Sequence, residues 1–255
     1  MIKSIILITS FFSMGFGQDL NAYEIMDRVY AIPKPSTSIM EIRLEITRKK
    51  RNKEKTKVRE FTRYEKYYDK GKYRSKSMAR FNTPKVVKGA GLLSWVPKNG
   101  QTDQWFFLPK LKTAKKVKGK EKSKSFLNTD FIYEDLESRG PGMDSLVSIG
   151  TEFIEGEQCR MIMAWPKNQS SYFARKLWVN MQKWQIHKVE YYTSDSNKQK
   201  TLFLSDFITT NGFTTPGKML MDMGNGNKSV MQITSYEPEI GLNEEIFSKS
   251  FLIKL

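Results

Sequence analysis

The stretch MEIRLEIT, residues 40–47, sets Met40, Ile42, Leu44 and Ile46 against Glu41, Arg43, Glu45 and Thr47. A period of two places the first set on one face of an extended strand and the second on the other, so the segment reads as a strand with one buried and one wet face. Ahead of it the period is helical. In NAYEIMDRVY, residues 21–30, Ala22, Ile25, Met26 and Val29 fall on one stripe, and Asn21 and Glu24 have the spacing of a capping box. The prolines of IPKPST, residues 32–37, end that helix because they cannot continue its hydrogen-bond ladder.

Downstream of residue 47, strand-like segments recur between turn signals: DKGK from Asp69, KNG from Lys98, IEGE from Ile154, SDSN from Ser194, NG from Asn211 and GNGN from Gly224. Counting between breakers predicts about eleven or twelve strands in antiparallel hairpins, with no long helical pattern to serve βαβ crossovers. A sheet of that size has to curl into a barrel or fold into a sandwich. The tail from Asn243 to Phe251 reads as a last short helix. No repeat, linker or shift in composition marks a domain boundary, so residues 18–255 are expected to form a single β domain.

The N-terminus carries Lys3 and then the apolar run SIILITSFFSMGF, residues 4–16, with Gly15 and Gly17 at the positions a signal peptidase requires. The expectation is a signal peptide over residues 1–17, cleaved after Gly17, and export to the periplasm. The chain holds one cysteine in 255 residues, so an internal disulfide cannot form and the hydrophobic core must hold the fold. Hydrophobic residues make up 39% of the sequence and aromatics 13%, ample for such a core. The formal charge is +16, or +15 once Lys3 is removed. It favours anionic partners such as a membrane surface, and export argues against nucleic acid.

An inventory of reactive groups offers little for catalysis. His187 is the only histidine and lies in strand-like sequence, as does Cys159; neither stands in a nucleophile motif. One histidine and one cysteine do not make a zinc site, and the glycines of KGAGLL, residues 88–93, lack the context of a phosphate loop. No metal, cofactor or catalytic residue is expected. Asp130 and Asp135 are the one pair of acids in a distinctive neighbourhood, and they read as loop caps rather than as an acid–base pair.

The aromatic residues and lysines are more informative. Trp105, Phe107, Phe126, Phe131, Tyr133 and Trp178 would line an apolar pocket if the sheet curls around an unfilled interior, a pocket suited to an acyl chain; packed together they would be plain core. In KLKTAKKVKGKEK, residues 110–122, Lys110, Lys112, Lys116, Lys118 and Lys120 occupy even positions. In an extended strand they would share a face, either as a lysine-protected edge or as a docking surface for anionic membrane.

The order of segments resembles a known family. RFNTPKVVKGAGLLSW (80–95), DQWFFLPKLKTAKKV (103–117) and SFLNTDFIYEDL (125–136) are similar to successive phrases of the LolA-like outer-membrane lipoprotein-sorting proteins, in the branch associated with RND/MMPL-type exporters. GEQCRMIMAWP, YFARKLWVN, HKVEYY and NEEIFSKSFL, beginning at residues 156, 172, 187 and 243, resemble the family's second half. One departure stands out: Leu127, Asn128 and Thr129 lie where the family commonly shows a glycine and a serine before the Asp.

The resemblance implies a mainly β fold, a strongly curved half-open antiparallel barrel with short helices plugging its concave side. It also implies a carrier, not an enzyme, whose partners are a lipidic ligand or acylated lipoprotein, an inner-membrane exporter and an outer-membrane acceptor. Two rival readings remain: an adaptor for such an exporter with a filled interior, and an enzyme acting on lipid through Asp130 and Asp135.

Overall fold

Residues 20–51 and 53–254 are described by the computed structural model; the leader expected over residues 1–17 lies outside them. Helix α1 (Ala22–Tyr30) starts at a capping box: the Asn21 side chain accepts from the backbone N–H groups of Tyr23 and Glu24, and the Glu24 carboxylate accepts from the Asn21 N–H at 2.8 Å. Such a cap contributes about 1 kcal/mol. Ala22, Ile25 and Met26 form the helix's buried stripe.

Strands follow in order: β1 (Thr37–Lys50), β2 (Lys53–Tyr67), β3 (Tyr73–Thr83), β4 (Gly91–Pro97), β5 (Asp103–Leu108), β6 (Thr113–Val117), β7 (Asp144–Ile154), β8 (Glu157–Pro166), β9 (Ala174–Asn180), β10 (Ile186–Ser194), β11 (Asn197–Ser205), β12 (Ile208–Thr210), β13 (Phe213–Thr215), β14 (Lys218–Asp222) and β15 (Lys228–Pro238). Helix α2 (Lys249–Ile253) closes the chain after a 3-10 turn over Glu244–Phe247. All six turn signals fall between consecutive strands. Thirteen strands make one sheet in the order β6-β5-β4-β3-β2-β1-β15-β14-β11-β10-β9-β8-β7, and β12 and β13 form a separate ribbon. The strands number more than expected because β1 and β2 turn without glycine or proline, at Arg51 with φ 53°, and because the short β12–β13 ribbon stands apart.

Pairing of β1 with β15 joins the first and second halves of the chain into one antiparallel surface. Strands β6 and β7 remain at its two edges, so the sheet curls without closing. The segment 118–143, which runs from the end of β6 to the start of β7, must therefore pass from one edge to the other.

Each face has its own core. Met40, Ile42, Leu44 and Ile46 of β1 join α1, Phe126, Phe131 and Tyr133 in the larger cluster, on the concave face. On the convex face Met78, Leu93, Trp105 and Phe107 pack with Phe247 and Leu252 of the C-terminal turn and helix. Gly91 makes that close approach feasible, because a Cβ there would stand 2.8 Å from the Leu252 side chain and 3.1 Å from the Ala79 carbonyl oxygen. The tail, expected as one helix, is a 3-10 turn and a short α-helix, and it covers the convex side. The concave side is plugged by α1 and the 118–143 segment.

Candidate functional site

Alternation along β1 and β2 aims Met40, Ile42, Phe61, Arg63, Glu65 and Tyr67 into the hollow of the sheet, where they meet Leu92, Met219, Met231 and Ile233 and, from the crossing segment, Phe126, Phe131 and Leu136. These residues line a half-open chamber of about 260 Å³. It is apolar along most of its wall and polar at one end, where the Arg63 guanidinium meets the Glu65 carboxylate at 3.1 Å. Glu65 holds the Arg63 pKa above its ordinary value despite burial. Burial, and then Glu65, push the Tyr67 phenol up, so it stays a neutral donor.

A second chamber of about 210 Å³ lies between α1, the crossing segment and β7–β10, lined by Met26, Tyr30, Leu177 and Val189 together with Arg139, Asp144 and Arg175. Asp135 and Glu137 belong to the walls of both chambers. The crossing segment is thus a partition across the concave space.

Charge holds this partition in place. Asp130 accepts from Arg48 of β1 at 2.8 Å and from the Ser229 hydroxyl of β15 at 2.6 Å, while its own N–H donates to Ser229 at 3.0 Å. Asp135 is almost wholly buried and meets Lys200 of β11 at 2.5 Å, the Tyr172 hydroxyl at 2.6 Å and the Ile132 N–H at 2.8 Å. Burial raises the Asp135 pKa, with Lys200 opposing it first and the hydrogen bonds from Lys200, Tyr172 and Ile132 after that. Burial, and then Asp135, raise the Tyr172 phenol. Lys200 also donates to the Asp130 carbonyl at 2.9 Å, so one ammonium binds two points of the segment. Glu134 accepts from the Ser171 N–H at 2.6 Å and from the Ser170 hydroxyl.

The departure at residues 127–128 acquires a physical meaning here. Leu127 and Asn128 have φ of 49° and 61°, in the left-handed region where glycine is the least strained residue. Their carbonyls accept from Arg59 and Arg48, each at 2.6 Å, which over-determines a conformation that Leu would otherwise avoid.

Of the six aromatic residues singled out in the sequence, Phe126 and Phe131 stand in the wall of the larger chamber. Tyr133 packs edge-on to Phe126 and Phe106 in the same cluster, and its carbonyl accepts from Gln104. Trp105, Phe107 and Trp178 require correction, because all three are on the convex face. Trp105 and Phe107 lie under α2. Trp178 lies between the ammonium groups of Lys176 and Lys188, 4.6 and 4.0 Å from its ring centre, and donates to Glu152 at 2.7 Å.

Alternation on the lysine run is also interrupted. Lys110 sits in a 3-10 turn, Lys112 is left-handed with φ 51°, and Lys120 lies in another 3-10 turn beyond Lys118, so only Lys116 remains in the strand β6. Lys116 pairs with Asp103 at 2.6 Å and covers Trp105. Because β6 is an edge strand, the run has the placement of an edge guarded by charge. Sequence reasoning missed Arg63, Glu65 and Tyr67; they alternate with Thr62, Tyr64 and Lys66, but nothing in polar residues announces an inward face.

Among the described residues no group of His, Cys, Asp and Glu could hold a metal ion, and no helix is long and apolar enough to cross a membrane. Asp130 and Asp135 are both engaged by cations and hydroxyls, and both fix the crossing segment to the sheet.

Solved structures share this architecture. An outer membrane lipoprotein-sorting protein domain from Vibrio parahaemolyticus superposes with a TM-score of 0.84 at 22% identity, covering 91% of this chain and 98% of its own. A DUF1329 family protein from Desulfovibrio piger gives 0.83 at 24%, covering 90% and 97%, and a LolA superfamily protein from Nitrosomonas europaea gives 0.66 at 20%, covering 91% and 99%. The fold is therefore LolA-like. The family whose model carries the description "Uncharacterized protein" matches residues 73–254, more than half of the sequence. The chain belongs to that family. No protein of curated function matches the sequence. The LolA-like sheet accounts for the hollow that the chambers and the partition occupy.

Proposed function

We propose that this protein is an exported periplasmic carrier that holds an acyl chain, of a lipid or of a lipoprotein, for transfer towards the outer membrane. The observation that supports it is the amphipathic chamber, whose apolar wall from Met40 to Met231 ends at Arg63, Glu65 and Tyr67. An acyl chain laid along the wall gains about 0.8 kcal/mol per buried CH2, and the polar end offers hydrogen bonds to a carbonyl or headgroup. Each chamber alone is smaller than the roughly 300–1,000 Å³ of ordinary ligand sites, while together they enter that range. Loading a long chain therefore calls for displacement of the partition, and the tethers at Asp130 and Asp135 set its cost. Mass spectrometry of the protein extracted from its native envelope is expected to find acyl-chain ligands; protein that yields none, and that binds no fluorescent fatty acid in solution, would sink the reading.

The firmness of those tethers supports a second reading, an adaptor for an RND/MMPL-type exporter that carries no lipid. Co-purification with a transporter, without lipid and unchanged by Leu108→Trp, would favour it.

A further inference from the structure

The inward rows of β1 and β2 continue beyond the chamber. On β1 the series Ile42, Leu44, Ile46 runs on as Arg48 and Lys50; on β2, Phe61 is followed outward by Arg59, Lys57, Lys55 and Lys53. The apolar wall thus becomes a cationic track on the same strand faces. Here the two strands project as a ribbon, since β1 has pairs with β15 only as far as Thr47 and β2 has pairs with β3 only from Glu60.

From Arg48 to Arg59 there are eight basic side chains and one acid, Glu54. Arg48 and Arg59 are committed to the partition, but Lys49, Lys50, Arg51, Lys53, Lys55 and Lys57 are exposed, and among the described residues none of the six enters an ion pair. Lys50 stands directly across from Lys53, and Arg48 from Lys55. Like charges in facing positions destabilise a ribbon, a cost that an anionic surface would remove. Beside the ribbon, Val58, Pro84, Val86 and Val87 border an apolar recess of about 430 Å³, and Val86 is 71% exposed, more than any other large hydrophobic residue described. Cations flanking an exposed aliphatic group suit the boundary between headgroups and acyl chains.

We propose that the β1–β2 hairpin docks the rim of the larger chamber onto an anionic phospholipid bilayer, with its lysines on the headgroups and Val86 at the interface. The purpose of this docking, passage of a chain between bilayer and chamber, rests on the carrier reading; the docking itself does not. Nucleic acid or an acidic protein would satisfy the charge but leave the exposed valine without a role.

The test is co-sedimentation of the mature chain with vesicles of phosphatidylcholine alone or mixed equally with phosphatidylglycerol. Binding is expected to the mixed vesicles only and to weaken with salt. The variant Lys50→Glu/Lys53→Glu/Lys55→Glu/Lys57→Glu should bind them roughly six-hundredfold less or weaker still, at about fivefold for each of the four cations lost. Lys110→Glu/Lys112→Glu/Lys120→Glu, with as exposed a set of lysines, should bind as the wild type does. The inference is overturned if mixed vesicles are not bound, if the hairpin variant binds them undiminished, or if the Lys110 set proves to be the one required. Salt-sensitive retention on heparin without vesicle binding would likewise overturn it and assign the hairpin to a polyanion. Fatty-acid binding in solution separates the two ideas: it should survive in the hairpin variant, and its absence from the wild type would remove the carrier reading while leaving the docking result standing.

Discussion

The concave and convex faces are built from alternate residues of the same strands, yet among the described residues the two chambers lie on the concave one. On the convex face the cover is the C-terminal 3-10 turn and α2, which insert Phe247 and Leu252 respectively among Met78, Leu93, Trp105 and Phe107. Polar contacts there are peripheral, such as the Trp95 indole donating to the Phe247 carbonyl at 2.8 Å. On the concave face the cover is an irregular segment held by ions: Asp130 to Arg48, Asp135 to Lys200. Apolar side chains settle to native density and leave little room. Ion pairs fix a segment at points and allow space between them. The difference separates a face whose cover is packed shut from one whose cover leaves space.

The largest break in that comparison should come from Lys200→Met. It leaves the Asp135 carboxylate buried without its cation, and removing one partner of such a pair costs about 3–5 kcal/mol, read as a fall in the urea midpoint. Adding Asp135→Leu should restore most of the loss, because well-packed apolar pairs are often as stable as buried ionic ones. If the single variant unfolds with the wild type, the partition is not held by charge.

Leu252→Ala attacks the other cover. A fully buried leucine truncated to alanine costs about 3 kcal/mol, and fatty-acid binding by the folded variant should not change. A loss of binding parallel to the loss of stability would mean that the two faces are not independent.

Met231→Trp tests the chamber itself. Met231 faces the larger chamber from β15, next to Ile233. A tryptophan there should cost no more than about 1–3 kcal/mol and should lower fatty-acid affinity roughly tenfold by taking up the space, about 1.4 kcal/mol of binding. Unchanged affinity would move the ligand elsewhere.

How far the two faces could be read in the sequence follows from the same contrast. The alternation over residues 40–47 places one face of β1 in the core, and the structure buries Met40, Ile42, Leu44 and Ile46 while leaving Glu41, Arg43 and Glu45 half-exposed; Thr47, expected on the wet face, is buried, its hydroxyl paired with that of Thr56. The capping box of α1 was equally plain, since its two partners are three residues apart. Strands β4 and β5 gave no such contrast, because both of their faces are buried; period two says that Trp105 and Phe107 share a face and cannot say which. Asp135 read as a cap, and it does accept from Ile132, but its cation lies sixty-five residues away on β11. The β1–β2 hairpin escaped notice because its turn lacks glycine and proline and its charges resemble solvated surface.

The smallest effect tests the place where the two faces slip past each other. Ile186 and Val189 of β10 line the smaller chamber, Lys188 lies over Trp178 on the convex side, and the register with β9 shifts between Ile186 and Lys188. His187 sits at that shift, packed against Phe207 at 5.2 Å and 3.6 Å from Glu157. Burial lowers its pKa below the ordinary 6.5, with Glu157 opposing and Lys183 reinforcing. In the window just below pH 6.5 the unfolded chain then binds more protons than the folded one, so this contribution to stability is present above the window and is lost as pH falls through it. His187→Gln removes the titrating group. The melting temperature of the wild type relative to that of His187→Gln should therefore fall as pH drops through the window and level off below the folded-state pKa. A difference that stays constant with pH would place His187 in solvent and leave the slip in alternation without an energetic consequence.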